Sequence, residues 1–214
     1  MVDELVLYTH PMSRGRIARW MLEETGQPYR AELLDFGTTM KAPEYLGINP
    51  MGKVPAIRHG DEVVTEAAAI CAYLADAFPE AGLAPPPGDR RRAPYYRWLF
   101  FAAGPIEAAS TNKALGFVVP EGRAVMAGYG SHADVLNAAD RLLSEHDYVA
   151  GEDFTAADVY FGSQLGFGMM FGGIDKRPAF ERYWARLSAR PAAVRARSID
   201  DALVAEKKKA ATPG

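Results

Sequence analysis

Ser13 is the residue of this sequence best placed to do chemistry. It follows a short apolar strand, predicted over residues 5–8, and the His10-Pro11 pair that ends this strand because proline cannot donate to a ladder. Apolar residues at helical spacing then predict a helix over residues 13–24, with Ser13 as its N-cap. A hydroxyl there meets unpaired N–H groups and the positive end of the helix dipole, a field that favours a thiolate over a thiol. The alternative is that Ser13 only caps the helix.

A second stretch that could form part of a functional site covers residues 49–67. Residues 54–57 and 62–65 predict two strands joined by a tight turn at residues 59–61. Gly52 permits a backbone conformation closed to other residues. Pro55 withholds a backbone donor, which suits a sheet edge or a place where a ligand pairs with the backbone. A helix follows Thr65 directly, and its first N–H groups predict a carboxylate site beside the hairpin.

Length and composition exclude several classes of protein. With 214 residues the chain predicts one or two domains, and its 49% hydrophobic and 24% charged residues are ordinary for a globular protein. A net charge of −3 gives no reason to expect nucleic acid or an anionic membrane, and no apolar run approaches the roughly 20 residues of a membrane span. The single cysteine, Cys71, excludes a disulfide framework and predicts a cytoplasmic protein. The four histidines show no ligand-like clustering, so no metal is expected.

The order of elements predicts two domains of different class. Strand, helix and strand over residues 5–34 form a βαβ unit with a parallel strand pair, and a further helix is predicted over residues 66–78. After the proline-rich residues 79–88 no strand is predicted, and helices are expected at 93–103 (bent or ended by Gly104-Pro105), 133–145, 156–171, 179–189 and 192–205. The predicted boundaries are an α/β domain at 1–79, a linker at 80–92, an all-helical domain at 93–206 and a mobile tail at 207–214.

Four features together resemble the cytosolic glutathione transferase superfamily. They are the strand–turn–helix LVLYTHPMSRGRIARW, the segment NPMGKVPAI with Thr65-Glu66 at the family's distance, the proline-rich linker, and the FTAAD capping box late in the chain. The resemblance implies an α/β plus all-α fold, in which a thioredoxin-like N-terminal domain binds glutathione and an all-helical C-terminal domain helps to form the second-substrate site. It also implies a homodimeric glutathione S-transferase that conjugates the glutathione thiolate to small hydrophobic electrophiles.

The resemblance offers two candidates for activating the thiol. His-Pro-x-Ser resembles the serine-type phi and theta classes, and it assigns the activating hydroxyl to Ser13. Tyr8 is the rival, since other classes use a tyrosine at the end of the first strand, but it lies upstream of the turn and suits half-buried packing. Cys71 does not fall where the cysteine-type classes keep their nucleophile, and its helix face predicts core packing.

The resemblance also assigns residues to the ends of glutathione. The family keeps the proline at position 55 cis, so Val54 before it pairs with the cysteinyl part of the tripeptide as an added strand does. Lys53 is implied to meet the glycine carboxylate, and Arg14 to help hold the anionic tripeptide. The alternative is that both side chains are ordinary solvated surface cations.

One position departs from the family pattern. Glu66 is implied to pair with the γ-glutamyl ammonium, but Ala67 stands where many members carry serine. Only the backbone N–H of Ala67 is left for the γ-glutamyl carboxylate, and the missing hydroxyl contact is expected to cost about 1 kcal/mol of affinity.

The second-substrate pocket is the least specified part of the prediction. The resemblance implies His10 and Met12 from the first domain, and aromatic residues of the first helix after the linker, namely Tyr96, Phe100 and Phe101. Two alternatives remain open. One is a glutathione-dependent peroxidase, isomerase or dehalogenase that uses the same tripeptide site, and the other is a non-catalytic binding or assembly protein, which the Ala67 departure slightly favours.

Overall fold

The fold consists of two compact units. A computed structural model describes residues 3–211 of the chain. The first unit contains the described residues up to Ala81 and those from Arg190 onward, and the second unit spans Gly82–Ala189. The helix after Arg190, predicted to belong with the helical segment, thus clusters with the first unit.

A four-stranded mixed sheet organises the first unit. Its strands lie in the order β2-β1-β3-β4, with β1 parallel to β2 and antiparallel to β3, and β3 antiparallel to β4. Their bounds are β1 (Leu5–Thr9), β2 (Arg30–Leu33), β3 (Ala56–His59) and β4 (Glu62–Thr65). The predicted parallel pair and hairpin are confirmed, with Gly60 at a φ of 58° in the tight turn. The ladder of β3 begins at Ala56, after Pro55, which has no N–H to donate.

The α-helices are distributed over both units. Their bounds are α1 (Gly15–Thr25), α2 (Pro43–Leu46), α3 (Ala67–Ala77), α4 (Arg92–Phe101), α5 (Glu107–Leu115), α6 (His132–Glu145), α7 (Ala156–Phe171), α8 (Pro178–Ser188) and α9 (Pro191–Ala211). The first unit contains α1 to α3 and α9, and the second contains α4 to α8. In the part of the chain that the structure describes, no helix is both long and apolar enough to cross a membrane.

The structure refines two helical predictions. At Gly104-Pro105, predicted to bend or end the helix after the linker, the helix does not end: residues Ala102–Ile106 form a π-turn that leads directly into α5. A π-turn absorbs one extra residue, which accommodates the missing N–H of Pro105 within a continuous helix. The tail predicted from residue 207 is helical as far as Ala211, and residues 212–214 lie outside the described residues. Three lysines near a helix C-terminus complement its dipole, so this composition favours continuation of the helix as well as a solvated end.

Ion pairs join α9 to α1 within the first unit. Arg19 Nε donates to Asp200 Oδ1 at 2.9 Å, and both side chains are at least 98% buried. Arg190 donates to both carboxylate oxygens of Glu24, at 2.7 and 2.8 Å. A buried charge without its partner is costly, so these pairs fix the register of α9 on α1 even where their net contribution to stability is small.

The second unit is built around α7. Its first eleven residues, Ala156 to Gly166, are all buried. The predicted capping box is confirmed: Asp158 accepts hydrogen bonds from the Thr155 N–H at 2.8 Å and the Thr155 hydroxyl at 3.0 Å. The same carboxylate also accepts from the Val149 N–H at 2.9 Å and the Tyr183 hydroxyl at 2.8 Å. One buried carboxylate thus connects α7 with α8 and with the chain before α7.

Candidate active site

The turn between β1 and α1 holds the Ser13 hydroxyl in a defined position. Ser13 Oγ donates to the His10 carbonyl oxygen at 2.7 Å and accepts from the Gly15 N–H at 2.9 Å. The helix begins at Gly15 with Arg14 at the N-cap position, so the N-cap predicted at Ser13 is one residue too early. Gly15 is required here because a Cβ would lie 1.9 Å from Thr9 Oγ1. Ser13 nevertheless satisfies a first-turn N–H, as a capping residue does.

The corner before β3 is held by two buried side chains. Asn49 Oδ1 accepts from the Met51 N–H at 3.1 Å, while Asn49 Nδ2 donates to the Lys53 carbonyl at 2.8 Å. The Tyr45 hydroxyl donates to the same carbonyl at 2.6 Å, and burial raises the pKa of Tyr45 to about 12, which keeps it a donor. The Val54-Pro55 bond that follows is cis, as the family resemblance implied. These bonds fix the peptide immediately before Val54.

A cavity of about 410 Å³ lies between this corner and the Ser13 turn. It is lined by Met12, Ser13, Arg14, Phe36, Gly37, Met40, Lys41, Gly52, Lys53 and Val54. Five of the predicted site residues are therefore brought together here, namely Met12, Ser13, Arg14, Lys53 and Val54. Gly52 has a φ of 56°, and a Cβ there would lie 2.6 Å from the Met40 carbonyl oxygen, so glycine is needed for this wall.

Sequence reasoning missed the residues that the segment after β2 contributes to this cavity. Lys41 donates from Nζ to the Met51 carbonyl at 2.9 Å, and it brings a third cation to the lining beside Arg14 and Lys53. Phe36 exposes 57% of its surface and provides an aromatic wall. The residue type alone does not indicate which way either side chain faces.

Tyr8 lies in the core of the first unit and is not among the cavity-lining residues. It is 9% exposed, and its ring centroid is 5.7 Å from that of Tyr45. Val6, Met40 and Ala56 belong to the same apolar cluster. This environment favours packing over thiol activation, which leaves Ser13 as the hydroxyl at the cavity.

Three predicted ligands of the tripeptide remain: Pro55, which is buried beside Val54 and does not line the cavity, and two residues at the start of α3. Glu66 is exposed and precedes the helix with a φ of 65°, a conformation that costs a non-glycine residue energy. Ala67 is the first residue of α3 and is 8% exposed. Neither residue lines the 410 Å³ cavity, so their contacts with glutathione stay predictions.

His10 is buried beside the cavity lining and does not belong to it. Its side chain is 4% exposed, and its ring centroid is 4.4 Å from that of Phe36. Nδ1 accepts from the Met12 N–H at 3.1 Å. Desolvation and the charge of Lys207 lower the pKa of His10, against the opposing effect of Asp35, so the ring is neutral near pH 7.

The three aromatic candidates of α4 belong to the second unit. Phe100 is 68% exposed, and Tyr96 is exposed with its hydroxyl accepting from Arg92 at 2.8 Å. Phe101 is half-buried against Trp98, with ring centroids 5.1 Å apart. Among residues 3–211 there is no group of three or more His, Cys, Asp or Glu side chains that could hold a metal ion. Cys71 is fully buried, as its helix face predicted.

Comparisons with known proteins agree with this architecture. Residues 12–77 match the family description "Glutathione S-transferase, N-terminal domain", and residues 98–191 match "Glutathione S-transferase, C-terminal domain". The chain is 29% identical over 202 residues to glutathione S-transferase 3 of Zea mays, covering 88% of this chain and 90% of that protein. A glutathione transferase of Methylococcus capsulatus superposes with a TM-score of 0.76 at 31% identity, covering 92% and 98% of the two chains. A sphingomonad glutathione S-transferase, solved as a complex with glutathione, gives 0.74 at 30% identity with the same coverage.

The chain belongs to the glutathione S-transferase family, and the protein is an enzyme of that class. The superfamily and the fold expected from the sequence are both confirmed: a thioredoxin-like N-terminal domain precedes a helical C-terminal domain.

Proposed function

We propose that the protein conjugates the thiolate of glutathione to small hydrophobic electrophiles, with glutathione as co-substrate and no metal in the reaction. The observation that carries the proposal is the cavity in which Ser13, at the start of α1, lies together with Val54 and three cations. Preorganised donors that stabilise a developing or existing anion commonly contribute more to the rate of such reactions than any other effect.

Ser13 supplies the hydrogen bond to sulfur in this mechanism. Its hydroxyl proton is donated to the His10 carbonyl, while the Gly15 N–H holds its oxygen in place. Binding of glutathione turns the proton from the carbonyl to the sulfur, and the dipole of α1 favours the same negative charge. The thiolate is the nucleophile, so the protein positions it and lowers the cost of its charge without forming a covalent bond to it.

The tripeptide is held by charge and by backbone pairing. Val54, before the cis-proline, pairs with the cysteinyl part of glutathione as an added strand does, and Arg14, Lys41 and Lys53 attract its carboxylates. At the other end, Glu66 meets the γ-glutamyl ammonium and the N–H of Ala67 meets the γ-glutamyl carboxylate at the start of α3. For the electrophile, Met12 gives an exposed apolar surface in the first unit, and Tyr96, Phe100 and Phe101 stay candidates in the second.

Replacing Lys41 or Lys53 by methionine is expected to raise KM for glutathione about two- to fivefold, with kcat little changed. Both lysines are exposed, and an exposed ion pair contributes well under about 1 kcal/mol. Steady-state kinetics with varied glutathione measures the effect. Lys176→Met, an equivalent change at an exposed lysine of the second unit, is the control. If kcat fell while KM stayed constant, the assignment of these cations to the carboxylates would be wrong.

Calorimetric titration with glutathione, followed by conjugation assays on a panel of aryl halides, enals and epoxides, tests the proposed function. We expect binding and conjugation of at least one apolar electrophile. Hydroperoxides in the same panel test the peroxidase alternative. Glutathione binding with no turnover of any of these compounds would favour a binding protein.

We also propose that the protein is cytoplasmic and homodimeric, as is consistent with its family. Light scattering of the purified protein distinguishes a dimer from a monomer, and fractionation of its source cells locates it.

A further inference from the structure

The buried His10 holds the Ser13 turn through both its backbone carbonyl and its ring. The His10 carbonyl receives both the Ser13 N–H at 3.1 Å and the Ser13 hydroxyl at 2.7 Å, and the His10 ring receives the Met12 N–H at Nδ1. A neutral imidazole has one acceptor nitrogen and one donor nitrogen. Since Nδ1 accepts, the proton of His10 resides on Nε2.

The protonated nitrogen of His10 points toward Asp35. His10 Nε2 is 3.8 Å from Asp35 Oδ1, too long for a hydrogen bond but close enough for the carboxylate to favour a proton on Nε2. Asp35 lies just after β2, and Lys207 of α9 forms an ion pair with it, which lowers the pKa of the Asp35 carboxyl. The helix at the end of the described chain thus reaches the active-site turn through two side chains, Asp35 and His10.

We propose that Asp35 and Lys207 are positioning residues, which set the tautomer and charge of His10 and thereby hold the Met12-Ser13 turn in the geometry that presents the Ser13 hydroxyl. This inference rests on the proposed function of Ser13. It adds that a residue of α9 influences the Ser13 turn, through interactions that lie wholly within the first unit.

The charge on His10 decides whether the turn is held. A protonated imidazole carries N–H groups at both nitrogens, so Nδ1 can no longer accept from Met12, and two donors then face each other. The turn loses one of its fixing bonds, and the Ser13 hydroxyl loses its defined direction. The Phe36 ring, which packs against the same imidazole at an interplanar angle of 56°, is affected too.

Asp35 and Lys207 act on His10 in opposite directions. The Asp35 carboxylate favours the imidazolium and raises the pKa of His10, whereas the Lys207 ammonium disfavours it and lowers that pKa. A further charged pair at this turn, Arg16 of α1 with Asp201 of α9 at 2.8 Å, lies beyond Pro11, whose carbonyl accepts from Arg16 Nε. Burial, with the charge of Lys207 as a second contribution, therefore keeps the His10 ring neutral despite the carboxylate of Asp35 nearby.

Two charge-removing variants give opposite expectations, which a purely structural role does not produce. With Lys207→Met, we expect the ratio of kcat/KM at pH 6 to that at pH 7.5 to fall about threefold, because His10 protonates more readily. With Asp35→Asn, we expect the same ratio to rise by a smaller factor, less than about twofold, because burial and Lys207 already hold the pKa of His10 below its usual value and the ring is largely neutral before the change. Both changes should appear mainly in kcat, since the carboxylate-binding cations are untouched. Lys209→Met, at an exposed lysine of the same helix, should leave the profile unchanged.

Nitrogen NMR of the histidine rings tests the influence of Asp35 and Lys207 on His10 without any turnover. We expect His10 to carry its proton on Nε2, with its titration midpoint moving up in Lys207→Met and down in Asp35→Asn. Shifts in the same direction, or no shift in either variant, would overturn the proposal. If the enzyme conjugated none of the electrophiles, the proposed function would have failed. The titration of His10 would still decide whether Asp35 and Lys207 set its charge.

Discussion

Ser13→Ala is expected to lower kcat for conjugation by about 10- to 100-fold, while KM for glutathione changes less than about threefold. In the proposed mechanism the hydroxyl donates to the sulfur, whereas the cations and the cis-proline segment proposed to hold the tripeptide are untouched. The rate should fall because less of the bound glutathione is present as thiolate: the apparent pKa of its thiol should rise when one donor to the thiolate is gone. Thiolate absorbance of the glutathione complex, measured against pH, reports this shift independently of the electrophile.

Two further variants separate this chemical role from capping. Thr25→Ala removes a buried hydroxyl from the other end of α1, where it donates to the Leu22 carbonyl at 2.7 Å. It should cost about as much stability and leave conjugation unchanged. Ser13→Thr retains the hydroxyl and should retain most of the rate. A Ser13→Ala enzyme with normal kcat would transfer the role to another group, and Tyr8→Phe would then be the variant to measure.

The second large effect is expected on stability, from Asp158→Ala in α7. This carboxylate is fully buried and accepts four hydrogen bonds, from Val149, Thr155 (twice) and Tyr183. Burial raises its pKa, and each of these bonds opposes that rise, so the donors around it are arranged for a carboxylate. Removing it leaves buried donors without an acceptor, and the free energy of unfolding should fall by about 3 kcal/mol, measured by urea denaturation.

The chain contains a matched control for this prediction. Ser131 and Asp134 form the same capping box at the start of α6, but Asp134 is exposed. Asp134→Ala should therefore cost only about 1 kcal/mol, the ordinary value for a lost helix cap. Equal losses at the two sites would mean that the buried bonds of Asp158 to Val149 and Tyr183 contribute nothing beyond capping.

Local signals were enough to predict much of the fold. These signals act over only a few residues. The structure has a turn at Pro11, a strand start after Pro55, a hairpin at Gly60 and a helix start at the Thr155–Asp158 box. The N-cap of α1 is Arg14, one residue after the predicted Ser13, and the close approach of Gly15 to Thr9 is a tertiary contact that the local pattern does not reveal. The continuous path through Gly104-Pro105 depends on a π-turn that no propensity indicates.

The candidate site was predictable only where it follows a motif. Ser13, Lys53 and Val54 lie in segments whose order and spacing are typical of the family, and all three line the cavity. Lys41 and Phe36 were missed because their role depends on how the chain folds back after β2, which residue type alone does not reveal. The approach of His10 to Asp35 and the ion pair of Asp35 with Lys207 join parts of the chain far apart in sequence, and no local pattern predicts them.

The return of α9 to the first unit bears on how the chain is made. Translation delivers the sheet and α1 first, then more than a hundred residues of another unit, and only afterwards the helix that carries Asp200. Until that helix has left the ribosome, Arg19 lacks the carboxylate of Asp200, and burying its guanidinium without that partner is unfavourable. The unit whose strands are synthesised first is therefore among the last parts of the protein to reach its final form.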